Sequence, residues 1–215
     1  MLPEECQVWW LLATWLGVGP QTHLSSIDVI ATALEPVLPD LGRRLSSPDG
    51  AVTLMLSDIA DASSAAERLG NERWERAVRD HHLLVGQVVA HHDGHVVKFE
   101  RDGFLASFPS AHAALHAAVE LQRTFAGDAG RAGGALAIRC GLHSGFVMAN
   151  PEQLMGRNVV LAARIAAEAR GGEILVSSTL KQYTESDPRF RFEERGEYHF
   201  KGLLGEHTVY AVQWR

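Results

Sequence analysis

The spacing of hydrophobic residues after residue 50 switches repeatedly between the period of a strand and that of a helix. The mostly apolar run Val52–Leu56 predicts a buried strand. Apolar residues at helical spacing predict one long helix over Ser63–Ala90, which Asp93-Gly94 ends. Two short runs, His95–Phe99 and Phe104–Phe108, flank a four-residue turn and predict a hairpin.

The same alternation continues toward the C terminus. The pattern predicts a helix at Ser110–Phe125, a strand at Leu136–Leu142, an alanine-rich helix at Arg157–Arg170, a strand at Glu173–Val176 and a closing hairpin within Phe190–Val212. The order β-α-β-β-α-β, followed by a helix, a strand and a hairpin, is typical of an α+β fold. We therefore expect a ferredoxin-like sheet with its helices on one face.

Residues 1–50 are predicted to form a separate helical segment. Apolar residues recur at helical spacing over Val8–Val18 and again over Ser26–Glu35. The stretch Pro36–Gly50 is rich in Pro, Gly and Ser, which favours a boundary there. The predicted organisation is an N-terminal helical segment over residues 1–50 and one globular domain over residues 51–215.

The run Val8–Val18 is apolar on nearly every side of its predicted helix. Its 11 residues are too few for a membrane span, which takes roughly 20. Glu4 and Glu5 precede the run, where a signal peptide carries basic residues. Three explanations stay open: packing against the chain's own domain or a dimer mate, docking of another protein, and attachment to a membrane surface.

Charge and cysteine content narrow the function classes. The chain of 215 residues has 20 basic and 26 acidic side chains, a net charge of −6. This balance argues against nucleic-acid binding, which needs a basic face to neutralise phosphates. The two cysteines, Cys6 and Cys140, make neither a disulfide framework nor a zinc site. A reducing, cytoplasmic location is the simpler interpretation.

Two aspartates stand where chemistry is expected. Asp58 follows the first predicted strand, and Asp102 lies at the tip of the predicted hairpin. If the two strand ends meet at one edge of the sheet, their carboxylates suit a hard divalent cation. Aspartates at such positions also commonly serve only as turn formers. The pattern alone leaves both interpretations open.

Four stretches, in this order, resemble one family. They are Leu54–Trp74, His95–Leu115, Ile138–Val147 and Gly156–Ile165. Together they are similar to the catalytic domain of class III nucleotidyl cyclases, which make cyclic AMP or cyclic GMP. The resemblance covers about residues 51–213 and includes a lysine-glycine pair within Phe200–Gly202. It implies the α+β fold of that family and a homodimer that binds ATP or another nucleoside triphosphate between its subunits.

The resemblance also implies roles for individual residues. Asp58 and Asp102 match the aspartates that hold Mg²⁺ or Mn²⁺. Arg164 matches the arginine that stabilises charge on the α-phosphate. The remaining matches are the phosphate-binding turn (Ile59, Ala60, Asp61, Ala62 and Ser63), the adenine-recognising lysine (Lys98), a base-reading position (Gln153) and a lysine that reaches the triphosphate (Lys201).

Several residues depart from the family pattern. Val160 replaces an asparagine that orients the ribose, and Gln153 replaces an aspartate or threonine that reads the base. Arg101 replaces the glycine before the second metal aspartate, and Asp61 replaces a glycine in the phosphate turn. Two functions therefore stay open. One is a weak, metal-dependent adenylyl cyclase; the other is an inactive pseudocyclase that binds nucleotide or acts as a regulatory dimerisation module.

Histidines raise two smaller questions. His91, His92 and His95 surround the Asp93-Gly94 turn, and we expect them to be solvated because the sequence shows no partner for a metal site. His143 precedes Ser144, but neighbouring residues on a strand point to opposite faces. A serine-histidine nucleophile pair is therefore not expected there.

Overall fold

A computed structural model describes residues 51–127, 136–146 and 151–215; the predicted N-terminal segment lies outside them. Their strands are β1 Ala51–Ile59, β2 His95–Glu100, β3 Gly103–Phe108, β4 Ile138–Phe146, β5 Ile174–Ser177, β6 Arg191–Tyr198 and β7 His207–Gln213. Their helices are α1 Ala62–Leu69, α2 Asn71–His91, α3 Ala111–Gly127, α4 Pro151–Glu168 and α5 Ser178–Thr184. The predicted α+β class is confirmed.

All seven strands form one mixed sheet in the order β2-β3-β1-β4-β5-β7-β6. The central strand β1 pairs antiparallel with β3 on one side and with β4 on the other. In this register Asp58 lies opposite Gly103 of β3 and opposite Arg139 of β4. The end of β1 therefore lies beside the β2–β3 hairpin.

The helices cover both faces of the sheet, which corrects the expectation of a single covered face. Met55 of β1 packs in the cluster that contains α2 and α3 residues. Its neighbours Leu54 and Leu56 face the other way, toward Val159 and Ala162 of α4. A strand that is apolar on both sides needs cover on both sides, and β1 is buried along nearly its whole length.

Two glycines shape the helices. The predicted long helix is broken, because Gly70 adopts φ 75° between α1 and α2, a conformation that side chains other than glycine rarely adopt. On the other face, a Cβ on Gly141 would lie 2.2 Å from the backbone nitrogen of Ala166. Gly141 therefore permits the close approach of α4 to β4.

The start of one helix and the whole of another were not predicted. The helix α4 begins at Pro151, six residues before the predicted start. The short helix α5 was missed altogether; its N-cap is Ser177, whose Oγ accepts a hydrogen bond from the Leu180 N–H at 3.3 Å. Within the described ranges, no helix combines the length and apolar character that a bilayer crossing requires.

Candidate active site

The two predicted metal aspartates lie side by side at one edge of the sheet. Asp58 is the penultimate residue of β1, and Asp102 is the last residue of the β2–β3 turn. The backbone joins them, because the Ile59 N–H donates to the Asp102 carbonyl oxygen at 3.1 Å. The fold thus produces the juxtaposition that the sequence suggested for a cation site.

Arg139 pairs with Asp58 in a geometry that sequence reasoning missed. Its Nε donates to Asp58 Oδ1 at 2.6 Å, and its Nη2 donates to Oδ2 at 2.9 Å. The Asp58 side chain is only 3% exposed, and that of Arg139 is 24% exposed. A two-point pair of this kind balances the buried carboxylate charge and fixes its orientation.

Arg139 also connects this edge to α4. Its Nη1 donates to the Ala167 carbonyl oxygen at 3.3 Å, near the C-terminal end of that helix. A cation is favourable at a helix C terminus, where carbonyl groups have no helical partners. One guanidinium therefore links the end of β1 to the helix that carries Arg164.

Fewer backbone amides of the predicted phosphate-binding turn are available to a ligand than expected. The Ile59 N–H is bonded to Asp102, and the Ala60 N–H donates to the Ala137 carbonyl oxygen at 2.7 Å. These two amides serve the fold, so they do not contribute to a cradle for a ligand. The helix α1 begins at Ala62, and no side chain caps its start. The first amides of α1 have no helical acceptors and suit an anion.

His82 of α2 contacts the β2–β3 hairpin. The His82 ring lies over Phe99, with 4.4 Å between the ring centroids. Burial lowers the pKa of His82, whereas a hydrogen bond to the Arg101 backbone and the Asp102 charge oppose that shift. His82 therefore anchors the turn that carries Asp102. Its position in the long predicted helix gave no signal of this role.

Arg101 and Asp61 share an unusual backbone conformation. Arg101 has φ 40° and Asp61 has φ 53°, both in the left-handed region. These are the two positions at which the family resemblance calls for glycine. Glycine adopts such angles without steric cost, whereas a side chain strains the backbone. The backbone at both positions therefore has a conformation that glycine would adopt without strain.

Lys98 is already engaged by a carboxylate. It lies on β2, and its Nζ is 3.1 Å from Glu100 Oε2, two residues along the same strand. Both side chains are partly buried, at 32% and 25% exposure. An adenine contact at Lys98 therefore has to compete with this ion pair.

The helix α4 carries Val160 and Arg164 one turn apart, so they share a face. Both side chains are half-buried. Two residues before Val160, the Asn158 Oδ1 lies 3.2 Å from His143 Nε2. The other ring nitrogen, His143 Nδ1, is 2.9 Å from Ser177 Oγ. His143 thereby ties α4 to β4 and β5.

His143 is neutral in this position. Burial is the main cause that lowers its pKa, from the usual 6.5 to about 4. Ser144 points elsewhere, since its Oγ lies 2.8 Å from Thr53 Oγ1. The expectation that His143 and Ser144 do not form a nucleophile pair is confirmed.

The last two predicted site residues are less closely placed. Lys201 is exposed in the connection between β6 and β7. In the sheet order β6 is four positions from β1, which corresponds to about 19 Å at the usual strand spacing. Gln153 lies in α4, and its side chain is outside the described residues.

Comparisons with known proteins agree with this geometry. Residues 45–213 match the adenylate and guanylate cyclase catalytic domain. An uncharacterised protein of Mycobacterium tuberculosis is 30% identical over 61% of this chain and 44% of its own length. An adenylate cyclase of Podospora anserina is 27% identical over 67% of this chain and 8% of its own length.

A solved structure shows the same fold. The adenylyl cyclase CyaB from P. aeruginosa superposes with a TM-score of 0.65 at 21% identity, covering 76% of this chain and 93% of that one. The chain spans less than half the length of the M. tuberculosis relative. The family match itself extends over most of the chain, from β1 to β7. This chain therefore belongs to the family of adenylate and guanylate cyclase catalytic domains.

Proposed function

We propose that this domain is a weak, metal-dependent adenylyl cyclase that converts ATP to cyclic AMP and pyrophosphate as a homodimer. The observation that carries the proposal is that Asp58 and Asp102 lie next to each other at one edge of the sheet, with α1 beginning four residues after Asp58. Carboxylates and a helix N terminus in that order suit a cation and a triphosphate.

The donor set at this edge fits Mg²⁺ or Mn²⁺. Arg139 donates to both Asp58 oxygens and fixes the orientation of that carboxylate. Asp58 and Asp102 together would hold the ion through carboxylate oxygens, the ligands that such cations prefer. When bound, a divalent cation supplies charge stabilisation at the attacking ribose oxygen and at the leaving pyrophosphate.

The chain's own residues account for the rest of the reaction. In the reaction, the ribose 3′-hydroxyl gives its proton to solvent and its oxygen bonds to the α-phosphorus. The bond from that phosphorus to the bridging oxygen breaks, and pyrophosphate leaves with the electron pair. The first amides of α1 would bind the triphosphate. Arg164 would stabilise the charge that develops on the α-phosphate.

Weak turnover is proposed because of Val160. A valine side chain makes no hydrogen bond, so nothing at this position orients the ribose hydroxyl toward the α-phosphate. Loss of one preorganised donor typically costs about 10²–10³ in rate. The His143–Asn158 contact holds the backbone of α4 in place, so the defect concerns one side chain and not the helix.

A homodimer is proposed because of where Lys201 lies. About 19 Å of sheet separates β6 from β1 within one chain. Lys201 would reach a triphosphate held beside Asp58 more directly from a second copy. A two-fold arrangement makes two equivalent sites from one self-complementary surface.

A cyclic AMP assay on the full chain, with Mg²⁺ and with Mn²⁺, tests the proposal. We expect slow, metal-dependent production of cyclic AMP that is lost in Asp58→Asn. Light scattering at micromolar concentration should show twice the 23.5 kDa chain mass. Absence of cyclic AMP with both metals would overturn the enzymatic part, and a monomer would overturn the dimer.

A second function is favoured by the Asp58–Arg139 pair. A guanidinium that engages both oxygens of a buried carboxylate opposes the entry of a second positive charge. On this basis the domain would be a pseudocyclase that binds nucleotide or pairs with another subunit without turnover. ATP binding in calorimetry together with no cyclic AMP production would favour it.

A further inference from the structure

We propose that His91, His92 and Glu120 form a second metal site, selective for Zn²⁺ and similar transition-metal ions. Their ligand atoms lie within 4.8 Å of one another. The sequence offered no third ligand for these histidines, because Glu120 is 28 residues away from His92. The fold brings α3 against the end of α2 and supplies the missing carboxylate.

The distances suit a tetrahedral ion. His92 Nε2 is 2.8 Å and His91 Nδ1 is 3.5 Å from the same oxygen, Glu120 Oε2. Zinc bonds to histidine nitrogen and carboxylate oxygen are about 2.0–2.2 Å long, so two ligands of one tetrahedral ion are about 3.3 Å apart. Of the three distances among the ligand atoms, one therefore already fits, and one opens by about 0.5 Å when the ion replaces the proton between His92 and Glu120. The third, between the two imidazole nitrogens, is within 4.8 Å and closes by movement of the exposed His91 side chain.

One of the three ligands, His92, is held in place before any ion binds. His92 is the C-cap of α2, and its N–H bonds to the Val88 and Val89 carbonyl oxygens at 3.2 and 3.3 Å. Its side chain is 20% exposed and lies parallel to the His116 ring, with 6.2 Å between centroids. Glu120 projects from the middle of α3. His91 is 71% exposed and supplies the adaptable third ligand.

The donor types select the ion. Two imidazole nitrogens with one carboxylate favour Zn²⁺, Co²⁺ and Ni²⁺, whereas Mg²⁺ and Ca²⁺ prefer an all-oxygen set. Three protein ligands also leave one position for water or another group. This chemistry differs from that of the Asp58–Asp102 edge, which offers oxygen ligands.

The site is separate from the candidate active site. It precedes the start of β2, whereas Asp102 follows the end of that strand. The strand β2 has six residues, and its ends are therefore about 17 Å apart. An ion bound at His91, His92 and Glu120 would join α2 to α3 and raise the thermal stability of the domain.

Calorimetric titration of the full chain with Zn²⁺ tests this site, with Co²⁺ visible absorption as a second readout of nitrogen coordination. We expect one ion per chain that excess Mg²⁺ does not displace. Glu120→Gln and His92→Ala should each weaken binding by at least about tenfold, since even outer-shell substitutions cost 10–100-fold. Zn²⁺ should raise the melting temperature of the wild type and leave that of Glu120→Gln unchanged.

Two controls make the result specific. His95→Ala removes an exposed histidine beyond the turn and should bind Zn²⁺ as the wild type does. Asp58→Asn should also keep the Zn²⁺ site, so a failure of the cyclase proposal leaves this one intact. The Glu120 side chain is 40% exposed, so Glu120→Gln should fold even if His92→Ala does not. Equal Zn²⁺ affinity in the wild type and Glu120→Gln would overturn the proposal.

Discussion

The edge of the sheet that carries Asp58 and Asp102, here called the carboxylate edge, matches the residues expected of the cyclase family more fully than the helix α4 does. At the edge, Asp58 and Asp102 meet through backbone hydrogen bonds and strand register. On α4, a valine, Val160, stands where the family resemblance implies an asparagine that orients the ribose, and Arg164 lies one turn away. Features built from the backbone persist as long as the sheet does, whereas a single polar side chain can be lost without cost to the fold.

Asp58→Asn should give the largest effect, because it changes the carboxylate edge, which has both of the aspartates that the family resemblance implies. Loss of the ionised carboxylate removes a cation ligand, and we expect any cyclic AMP production to fall by at least about 100-fold. An amide also turns one donor toward Arg139. We expect the free energy of unfolding to fall by about 1–3 kcal/mol, below the full cost of breaking a buried pair because Arg139 is partly exposed.

Asp102→Asn is the matched variant for that experiment. Asp102 lies at a hairpin tip and is less buried than Asp58, so we expect a similar loss of activity with a smaller loss of stability. Cyclic AMP assays and urea unfolding of both variants separate the two effects. Activity that survives in both variants would show that the carboxylate edge is not the metal site.

Val160→Asn should raise the proposed cyclase activity, because it supplies the polar side chain that the family resemblance implies at this position. Asparagine offers a donor and an acceptor at the ribose position, and we expect cyclic AMP production to rise by about 10–100-fold. Val160→Ala is the control, because it changes the side-chain volume without adding a polar group. An equal gain in both variants, or no gain in either, would contradict the idea that ribose orientation limits turnover.

The same contrast explains what the sequence predicts well. A short apolar run predicted β1, and two short runs around a turn predicted the β2–β3 hairpin. The antiparallel pairing of β1 with β3 then brings Asp58 next to Asp102. The Arg139–Asp58 pair was missed, because it depends on the register of β1 against β4, 81 residues apart. The placement of α4 was missed for a related reason, since hydrophobic period identifies a buried face but not which side of the sheet covers it.

A different buried histidine packs near each region. The free energy of unfolding at acidic pH should show the contribution of each. His81 packs beside Phe104 and Phe125, and burial lowers its pKa to about 3. Neither His81 nitrogen has a hydrogen-bond partner among the described residues. His143, with a pKa of about 4, bonds to Ser177 and Asn158 and holds α4.

Both histidines should make the fold less stable as the pH falls below their usual pKa of 6.5. Between that value and the folded pKa, the unfolded chain binds protons that the folded chain does not, so the free energy of unfolding decreases. At pH 5 each histidine should contribute a loss of about 2 kcal/mol.

Leucine at each position separates their structural roles. Both His81→Leu and His143→Leu should reduce the difference between urea unfolding at pH 5 and at pH 7. At pH 7, His81→Leu should be neutral or stabilising, because no hydrogen bond is lost. His143→Leu should lose about 1–3 kcal/mol, because Asn158 Oδ1 loses its contact with His143 and Ser177 Oγ keeps only the Leu180 N–H. The comparison fails if the two variants behave alike at pH 7.

The smallest expected effect concerns the strained turn at the carboxylate edge. Arg101 adopts φ 40°, and both its charge and its Cβ are unfavourable there for different reasons. Arg101→Ala removes the charge but keeps the strain, whereas Arg101→Gly removes both. We expect both variants to lower the Mn²⁺ concentration needed for activity, because a positive charge beside Asp102 is gone. Only Arg101→Gly should relieve the left-handed strain, and it should exceed Arg101→Ala in free energy of unfolding by about 0.5–1 kcal/mol after the entropic cost of glycine.

Mn²⁺ titrations of the initial rate, with urea unfolding on the same samples, measure the two effects separately. If the variants do not differ in stability, the hairpin relaxes around Arg101. If neither changes the Mn²⁺ requirement, the arginine charge does not reach the cation site, and Val160 remains the main difference between the two regions.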